Sequence, residues 1–450
     1  MAVQERKLQA QIPAEQASDR HARAWWPLAV LIAVNVLNFY DRHVAAAVVE
    51  PIRKEFLLSD TQLGWLNTAF TVLYGFVGLP LGRLADRVSR KKLLALGIAV
   101  WAMLTAATRW VQSYPLLVFT RLGVGVGEAT AAPTATSWIG DLYPPQRRAR
   151  PLALFMLGVP VGGALSYFFS GAIAQRLGWR AAMVVAAAPA LVLIPLLLLL
   201  KEPERGASEK RVAEPARASS LWQVLGELLT NRTFLWIALS GALVNFNLYG
   251  IALFFPALFG RIHHMNVAQA GRTMGIIYAI GGVLGGWIAG WLGDRVVRGS
   301  GGGRMRIAAI AALLAVPMSY FGIRQGYGAI SLALPLLTAA YGLLNMYYGL
   351  VYASIQDIVP PRLRGTSMAF YFLVMYLGGA SWGTVIIGGF SDFFALRAAH
   401  LAGLNKINEA AKAIGVQQAL LAIPVLSFLL ALVLWAGSKT IEKDVLKPQA

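Results

Sequence analysis

The sequence predicts an all-α polytopic membrane protein whose twelve transmembrane helices form two pseudo-symmetric six-helix bundles. Three observations lead there. Hydrophobic residues make up 57% of the 450 and charged residues only 14%, against roughly 25% charged in a soluble domain. Apolar runs of about 20 residues recur along the chain, each long enough to cross a ~30 Å hydrocarbon layer. The second half of the chain also repeats the first. A soluble chain of this length needs a far larger polar surface around two or three cores, which excludes soluble enzymes, secreted modules and disordered chains. Apolar runs without an alternating polar face are not barrel strands, so the spans are helices.

The spans fall at roughly 25–50, 61–84, 92–111, 115–140, 149–175, 179–200, 232–260, 267–294, 305–323, 328–357, 364–391 and 413–437. Residues 1–24 are polar and read as a cytoplasmic segment with no cleavable signal peptide. The first bundle is 25–200 and the second 232–437, with a cytoplasmic tail at 438–450. Between the bundles, Lys201-Glu202-Pro203-Glu204-Arg205 opens a charged, Pro-containing linker over 201–231. Its last part, Leu221 to Thr230, has the pattern of a short amphipathic helix on the membrane surface. Residues 392–412 read as a long connection of helical composition.

Charge gives the orientation. Lys and Arg number 40 against 21 Asp and Glu, a formal +19. With the N-terminus in the cytoplasm, 27 of the basic residues fall on inside segments and 11 on outside ones, leaving Arg42 and Arg121 within spans. That asymmetry puts both termini inside. The excess is topological and predicts no nucleic-acid partner. The chain has no Cys, so disulfides and thiolate metal sites are excluded.

The duplication is ordered. Gly82-Arg83-Leu84-Ala85-Asp86-Arg87 recurs 208 residues on as Gly290-Trp291-Leu292-Gly293-Asp294-Arg295. Gln62, Gly64, Gly75 and Gly78 match Gln269, Gly271, Gly282 and Gly285 at a shift of 207. Asp141, Pro144, Pro145, Arg148, Gly162 and Gly163 match Asp357, Pro360, Pro361, Arg364, Gly378 and Gly379 at a shift of 216. Parallel six-helix repeats predict a pseudo-two-fold axis along the membrane normal and a central site between halves, which is transporter architecture.

Ionisable residues inside spans are the strongest functional signal. Span one carries Asn35, Asn38, Tyr40, Asp41, Arg42 and His43; span four carries Arg121 and Glu128. At ~1.5 Å per residue, Asp41 lies ~22 Å along its helix from Trp26, and Arg121 and Glu128 lie ~9 and ~20 Å from Pro115. Those depths let Asp41 and Arg42 meet Arg121 or Glu128 across a cavity. Two acids and two bases make a formally neutral cluster. A structural lock between spans one and four is the plainer reading. The corresponding positions of the second half, Asn245, Asn247, Leu344 and Asn345, are uncharged, which favours a titrating site needed only once. Asp41 and Glu128 are therefore the candidate proton sites. Arg42 and Arg121, with Asn38, are candidate counter-ions or anion-binding groups.

The loop Gly82-Arg83-Leu84-Ala85-Asp86-Arg87-Val88-Ser89-Arg90-Lys91-Lys92 resembles the signature loop of the major facilitator superfamily, and the likeness in span count and repeated loops covers the whole chain. The resemblance implies the fold of that superfamily and a gating element that stabilises the outward-open state. Gly82, Asp86, Arg87, Arg90, Asp294 and Arg295 are then the gating candidates. Arg121-Leu122-Gly123-Val124-Gly125-Val126-Gly127-Glu128-Ala129, Ala132-Pro133-Thr134, Asp141-Leu142, Asp41-Arg42 and Pro160-Val161-Gly162-Gly163-Ala164-Leu165-Ser166-Tyr167 are similar to the spinster-like branch. That closer likeness covers about residues 35–170 and implies transport of lysophospholipids or sphingoid-type amphiphiles, coupled to protons in several members. The Gly-Pro-x-x-Gly-Gly pattern of antiporters is imperfect here, because Pro160 follows Val159 and one residue separates it from Gly162.

The second half offers an aromatic, amide-rich set instead: Asn245, Asn247 and Tyr249, then Tyr341, Asn345, Tyr347 and Tyr348, then Tyr371, Tyr376, Ser381 and Trp382. Polar heads on apolar bodies suit an acyl or sphingoid tail beside a charged head, although interfacial belts use the same residues. Asn245, Asn247 and Tyr371 are the substrate-binding candidates among them. No metal-ligand spacing, phosphate loop or nucleophilic set is present, so no cofactor or catalytic residue is expected. The sequence thus predicts a monomeric, non-enzymatic transporter of a bacterial inner membrane. Its expected partners are a lysolipid or sphingoid substrate, protons and membrane lipids. A carrier of small organic anions such as sugar acids is the rival within the class; a membrane-embedded lipid enzyme or sensor is the rival outside it.

Overall fold

A computed structural model describes residues 14–85, 87–144, 147, 149–205, 221–296, 302–359 and 364–444. Asp86, Pro145, Arg148, Pro360, Pro361 and residues 206–220 of the linker lie outside them, as do the sequence-stretch ends 1–13 and 445–450. The described residues contain helices and no strands.

The first half runs α1 (Ala14–Ala47), α2 (Val49–Phe56), α3 (Asp60–Ala85), α4 (Arg90–Ala107), α5 (Tyr114–Glu128), α6 (Ala131–Leu142), α7 (Ala149–Met156), α8 (Gly158–Leu177), α9 (Trp179–Ala187) and α10 (Ala190–Leu199). After α11 (Leu221–Thr230), the second half runs α12 (Arg232–Arg261), α13 (Val267–Ile276), a π-helical turn (Ile277–Gly282), α14 (Val283–Val296), α15 (Gly303–Arg324) and α16 (Ile330–Ile358). It ends with α17 (Arg364–Met375), a second π-helical turn (Tyr376–Ala380), α18 (Ser381–Leu401), α19 (Glu409–Leu420) and α20 (Ala422–Asp444).

Joined end to end, these segments give twelve spans. Nine of the described helices are long and apolar enough to cross a membrane; the spans of α1, α3 and α5–α6 are outside that group. Spans four, five and twelve break at Ala129–Thr130, Leu157 and Leu421, each three or four residues before a proline (Pro133, Pro160, Pro424). A proline has no N–H to give and its ring crowds the carbonyl four residues back. Spans eleven and twelve are longer than their apolar cores, since α18 and α19 take in most of the Ala-rich 392–412 connection, a composition with high helix propensity.

Close crossings join the halves. A Cβ at Gly388 would strike the backbone of Asp60 and Thr61, and Gly171 and Gly271 pack against each other where α8 meets α13. Small residues at such crossings let helices pack without a hydrophobic driving force between them. The larger buried cluster is continuous across this region, from Val44, Val48 and Ile52 to Phe254, Leu258 and Tyr278.

The same end carries a charge latch. Arg261, at the end of α12, donates to both oxygens of Asp60 at 2.6 and 2.7 Å and to Glu50 Oε1 at 2.6 and 2.9 Å. Arg53 pairs with Glu50 at 3.0 Å and with Glu409 at 2.7 Å. Asp392 accepts from the backbone N–H groups of Asp60 and Thr61 at 2.9 and 2.8 Å. A carboxylate of the second half therefore sits at the N-terminus of α3, where exposed N–H groups favour negative charge.

Candidate functional site

The charged residues of spans one and four meet in the middle of the bundle. Arg42 Nε donates to Glu128 Oε2 at 3.0 Å, and both side chains are buried. The guanidinium lies 4.5 Å from the Tyr74 ring centre and 4.7 Å from that of Phe39, so its planar faces rest on π-systems while its edges carry the polar bonds. Asp41 takes the other route: Thr105 of α4 donates to its Oδ2 at 2.7 Å. Arg121 lies 5.5 Å from the Phe70 ring centre.

Four polar atoms of this cluster have no hydrogen-bond partner: Glu128 Oε1, Asp41 Oδ1, Arg121 Nη1 and Asn38 Nδ2. Buried polar groups are nearly always satisfied, so four open positions around two acids and two bases make this cluster the candidate site. Towards the latch, a cavity of about 20 Å³ touches Arg42 and Arg121 under Val49, Ile52, Leu63, Leu66 and Leu253. That is the room of a single water.

Tyrosines close the site, Tyr74 from α3 and the others from the second half. Tyr74, Tyr249, Tyr348, Tyr352 and Tyr376 are all half-buried, and the Tyr376 ring lies 5.1 Å from that of Tyr74 and 6.2 Å from that of Tyr249. Arg42 Nη1 donates to the Tyr376 hydroxyl at 3.4 Å. Asn245 is buried, donates to Gly241 O at 3.0 Å and accepts from Tyr348 at 3.2 Å. Tyr371 is fully buried and shares a 2.9 Å hydrogen bond with Tyr347. Asn247 faces span twelve, donating to Ser427 at 3.2 Å. Among the described residues no three His, Cys, Asp or Glu side chains come together to hold a metal ion.

At the opposite end, Arg90 is fully buried and ion-paired with Asp141 and, at 3.0 Å, with Glu202. Glu202 also accepts from the Arg90 backbone N–H at 2.9 Å and the Ser89 hydroxyl at 2.8 Å. Burial pushes its carboxyl up, but these hydrogen bonds outweigh that and hold it below the usual carboxylate range. Arg205 donates to Ala85 O and Val88 O at 2.9 and 2.7 Å. The start of the linker is thus docked on the loop after span two.

Of the gating candidates, Gly82 faces Pro133 of α6, Arg87 is exposed, and Arg295 is stacked on Trp291 at 3.7 Å. Asp86 and the Asp294 side chain are outside the described residues. Thr105, Glu202, Arg205 and the latch residues are absent from the sequence-derived set. A hydroxyl in an apolar run and charges in loops carry no spacing that singles them out.

The major facilitator superfamily model matches residues 31–383. An MFS-type efflux pump of Mycolicibacterium smegmatis is 32% identical over 389 residues, covering 85% of this chain and 88% of that protein. Human protein spinster homolog 1 is 29% identical over 386 residues, covering 81% and 72%. A crystal structure of a bacterial homolog of the human lysosomal transporter spinster, inward-facing and unoccupied, superposes with a TM-score of 0.85 at 26% identity, covering 95% of this chain and 99% of that one. The chain belongs to the major facilitator superfamily and is a spinster-like integral membrane transporter.

Proposed function

We propose that the protein moves an amphiphilic lysolipid or sphingoid-like substrate by alternating access, coupled to protons through Asp41 and Glu128. The observation that carries this reading is the buried Arg42–Glu128 pair with one free oxygen on Glu128 and another on Asp41. A buried cluster must stay close to neutral. When Glu128 takes a proton, Arg42 loses its counter-charge and is free to hold an anionic head group. When the head group leaves, Arg42 returns to the carboxylate and the proton departs. Arg121, with its unpartnered Nη1, and Asn38 extend the same anion-binding surface. On the wall opposite, the half-buried Tyr249, Tyr348, Tyr352 and Tyr376 suit an apolar tail, with Asn245 and Tyr371 buried behind them and bonded to Tyr348 and Tyr347.

With the basic segments in the cytoplasm, the latched end faces outside and the site opens inward. The likeness to an inward-facing spinster homolog supports that orientation. The docking of Glu202 on Arg90 supports a cytoplasmic gate built on Gly82, Asp86, Arg87, Arg90, Asp294 and Arg295. The reading has a monomer in a bacterial inner membrane with both termini cytoplasmic.

The similarity to a mycobacterial efflux pump favours a second reading, export of other amphiphilic compounds through the same cavity. Flux assays in proteoliposomes separate the possibilities. Labelled lysophospholipid and a phosphorylated sphingoid base are expected to move saturably and faster under a proton gradient, and sugar acids not at all. Uptake of sugar acids with no flux of either lipid overturns the assignment; flux confined to non-lipid amphiphiles selects the efflux reading.

A further inference from the structure

Arg42 and His43 are consecutive on α1, and the second half touches each through a tyrosine in a π-helical turn. Arg42 Nη1 donates to the Tyr376 hydroxyl at 3.4 Å. The His43 ring meets Tyr278, with 3.2 Å between Nε2 and the hydroxyl. His43 Nδ1 lies 2.8 Å from Phe39 O, an oxygen that only accepts, so Nδ1 carries the proton. In the neutral ring, Nε2 is then the acceptor and Tyr278 the donor.

Ile277–Gly282 and Tyr376–Ala380 are the two π-helical turns among the described residues. At the repeat shifts of 207 and 216, Tyr278 and Tyr376 correspond to Thr71 and Pro160, positions that are not tyrosine and lie in the ordinary α-helix of α3 and α8. The π turns and their tyrosines thus belong to one half, and the charged cluster they touch belongs to the other. Space is kept for the contact: a Cβ at Gly163 would lie 2.7 Å from the Tyr278 ring and 3.5 Å from His43. A π turn holds one residue more than the α-helix, and absorbing that residue rotates the rest of the span by about 100° of helix phase. Tyr376 opens its turn and Tyr278 is second in its own, where such a change in register would move the hydroxyl away from span one.

We propose that Tyr278 and Tyr376 are positioning residues that transmit the state of the Arg42–Glu128 pair to the second half, their hydroxyls holding the two π turns in register while Arg42 and His43 keep their present places. Protonation of Glu128 releases Arg42, the Tyr376 contact goes with it, and the two spans are free to change register as the halves rock. The proposal rests on the proton-coupling reading above. The groups facing Arg42 are Asp41 on its own helix, Glu128 from α5, Tyr74 from α3, Tyr249 from α12 and Tyr376; Arg121 from α5 faces Asp41 and Glu128. His43 meets Tyr167 of α8 and Tyr278, and Arg42 is its charged neighbour.

The chain has no native Cys, so spin labels at Leu57→Cys and Leu404→Cys, exposed positions in opposite halves at the latched end, report closure without background. The separation is measured against pH in the full-length protein in nanodiscs, for the labelled parent and for Tyr278→Phe, Tyr376→Phe and both together. The parent is expected to shift between short and long separations with pH. The double variant is expected to lose most of that shift or to move its midpoint by about one pH unit, a tenfold change in the equilibrium. A double variant with the parent's midpoint and amplitude overturns the proposal. Should the double variant fail to fold, the single variants decide on the same criterion. A parent that ignores pH defeats the proton-coupling reading itself, and the transmission role with it, and is told apart by the parent trace alone.

Discussion

Glu128 gives one oxygen to Arg42 at 3.0 Å and leaves the other without a partner. Asp41, one residue before Arg42, is likewise half-satisfied, by Thr105. A lock whose only task is to hold spans one and four together would use all of its hydrogen-bonding capacity, because each unmet buried group costs about 1–3 kcal/mol. The two free carboxylate oxygens are the feature on which the proposed proton exchange at Glu128 and Asp41 rests.

Removing Arg261 tests the latch. Arg261→Met leaves the buried Asp60 carboxylate without its ion-pair partner and Glu50 with Arg53 alone, which destabilises the latched state by about 3–5 kcal/mol. Label separation between positions 57 and 404 is expected to lengthen and thermal stability to fall. Arg261→Lys, which keeps the charge and loses the two-pronged contact with Asp60, falls between. An unchanged separation in Arg261→Met excludes the network as a determinant of closure.

The crossing of α8 and α13 depends on Gly271, whose Cβ would meet the Tyr167 carbonyl. Gly271→Val is expected to force the helices apart at a cost of about 1–3 kcal/mol, seen as a lower melting temperature and a longer separation between labels at positions 57 and 404. A parental melting temperature and label separation would show that the contact has slack.

Docking of the linker depends on pH with a defined sign. The Glu202 carboxyl is held below its ordinary value by bonds from Arg90 and Ser89, against the opposing effect of burial. Its contribution is therefore complete above the free value of about 4.3 and is lost as pH falls through the lower value of the docked state. Protection factors at the Arg90 and Lys91 amides, taken against the intrinsic exchange rate at each pH, are expected to fall in acid, and Glu202→Gln to be poorly protected already at neutral pH. Protection in Glu202→Gln equal to the parent's at neutral pH contradicts the assignment.

The twelve helical spans and the duplication are legible because hydrocarbon thickness and repeat spacing act on composition directly. The meeting of Arg42 with Glu128 is legible for a related reason, since lone charges in apolar spans have few places to go. The partner of Asp41 is not, because Thr105 is one hydroxyl in an apolar helix. The latch assembles Glu50, Arg53, Asp60, Arg261 and Glu409 from separate loop regions, where each reads as solvated charge. The π turns leave no trace either: one extra residue in an apolar helix changes neither its length class nor its composition. Glu202 stands in a charged stretch that looks solvated until Arg90 is seen buried beneath it.

The most direct test of the account is proton-driven flux by Glu128→Gln. Purified parent, Glu128→Gln and Asp41→Asn proteins are reconstituted in liposomes, and lysophospholipid flux is measured with and without a pH gradient. Parental flux is expected to respond to the gradient. Glu128→Gln, which cannot exchange a proton at this position, is expected to lose that response while still binding the lipid in a thermal-shift assay. Full gradient-driven transport by Glu128→Gln and Asp41→Asn alike would contradict the central claim that these two carboxyls carry the coupled proton.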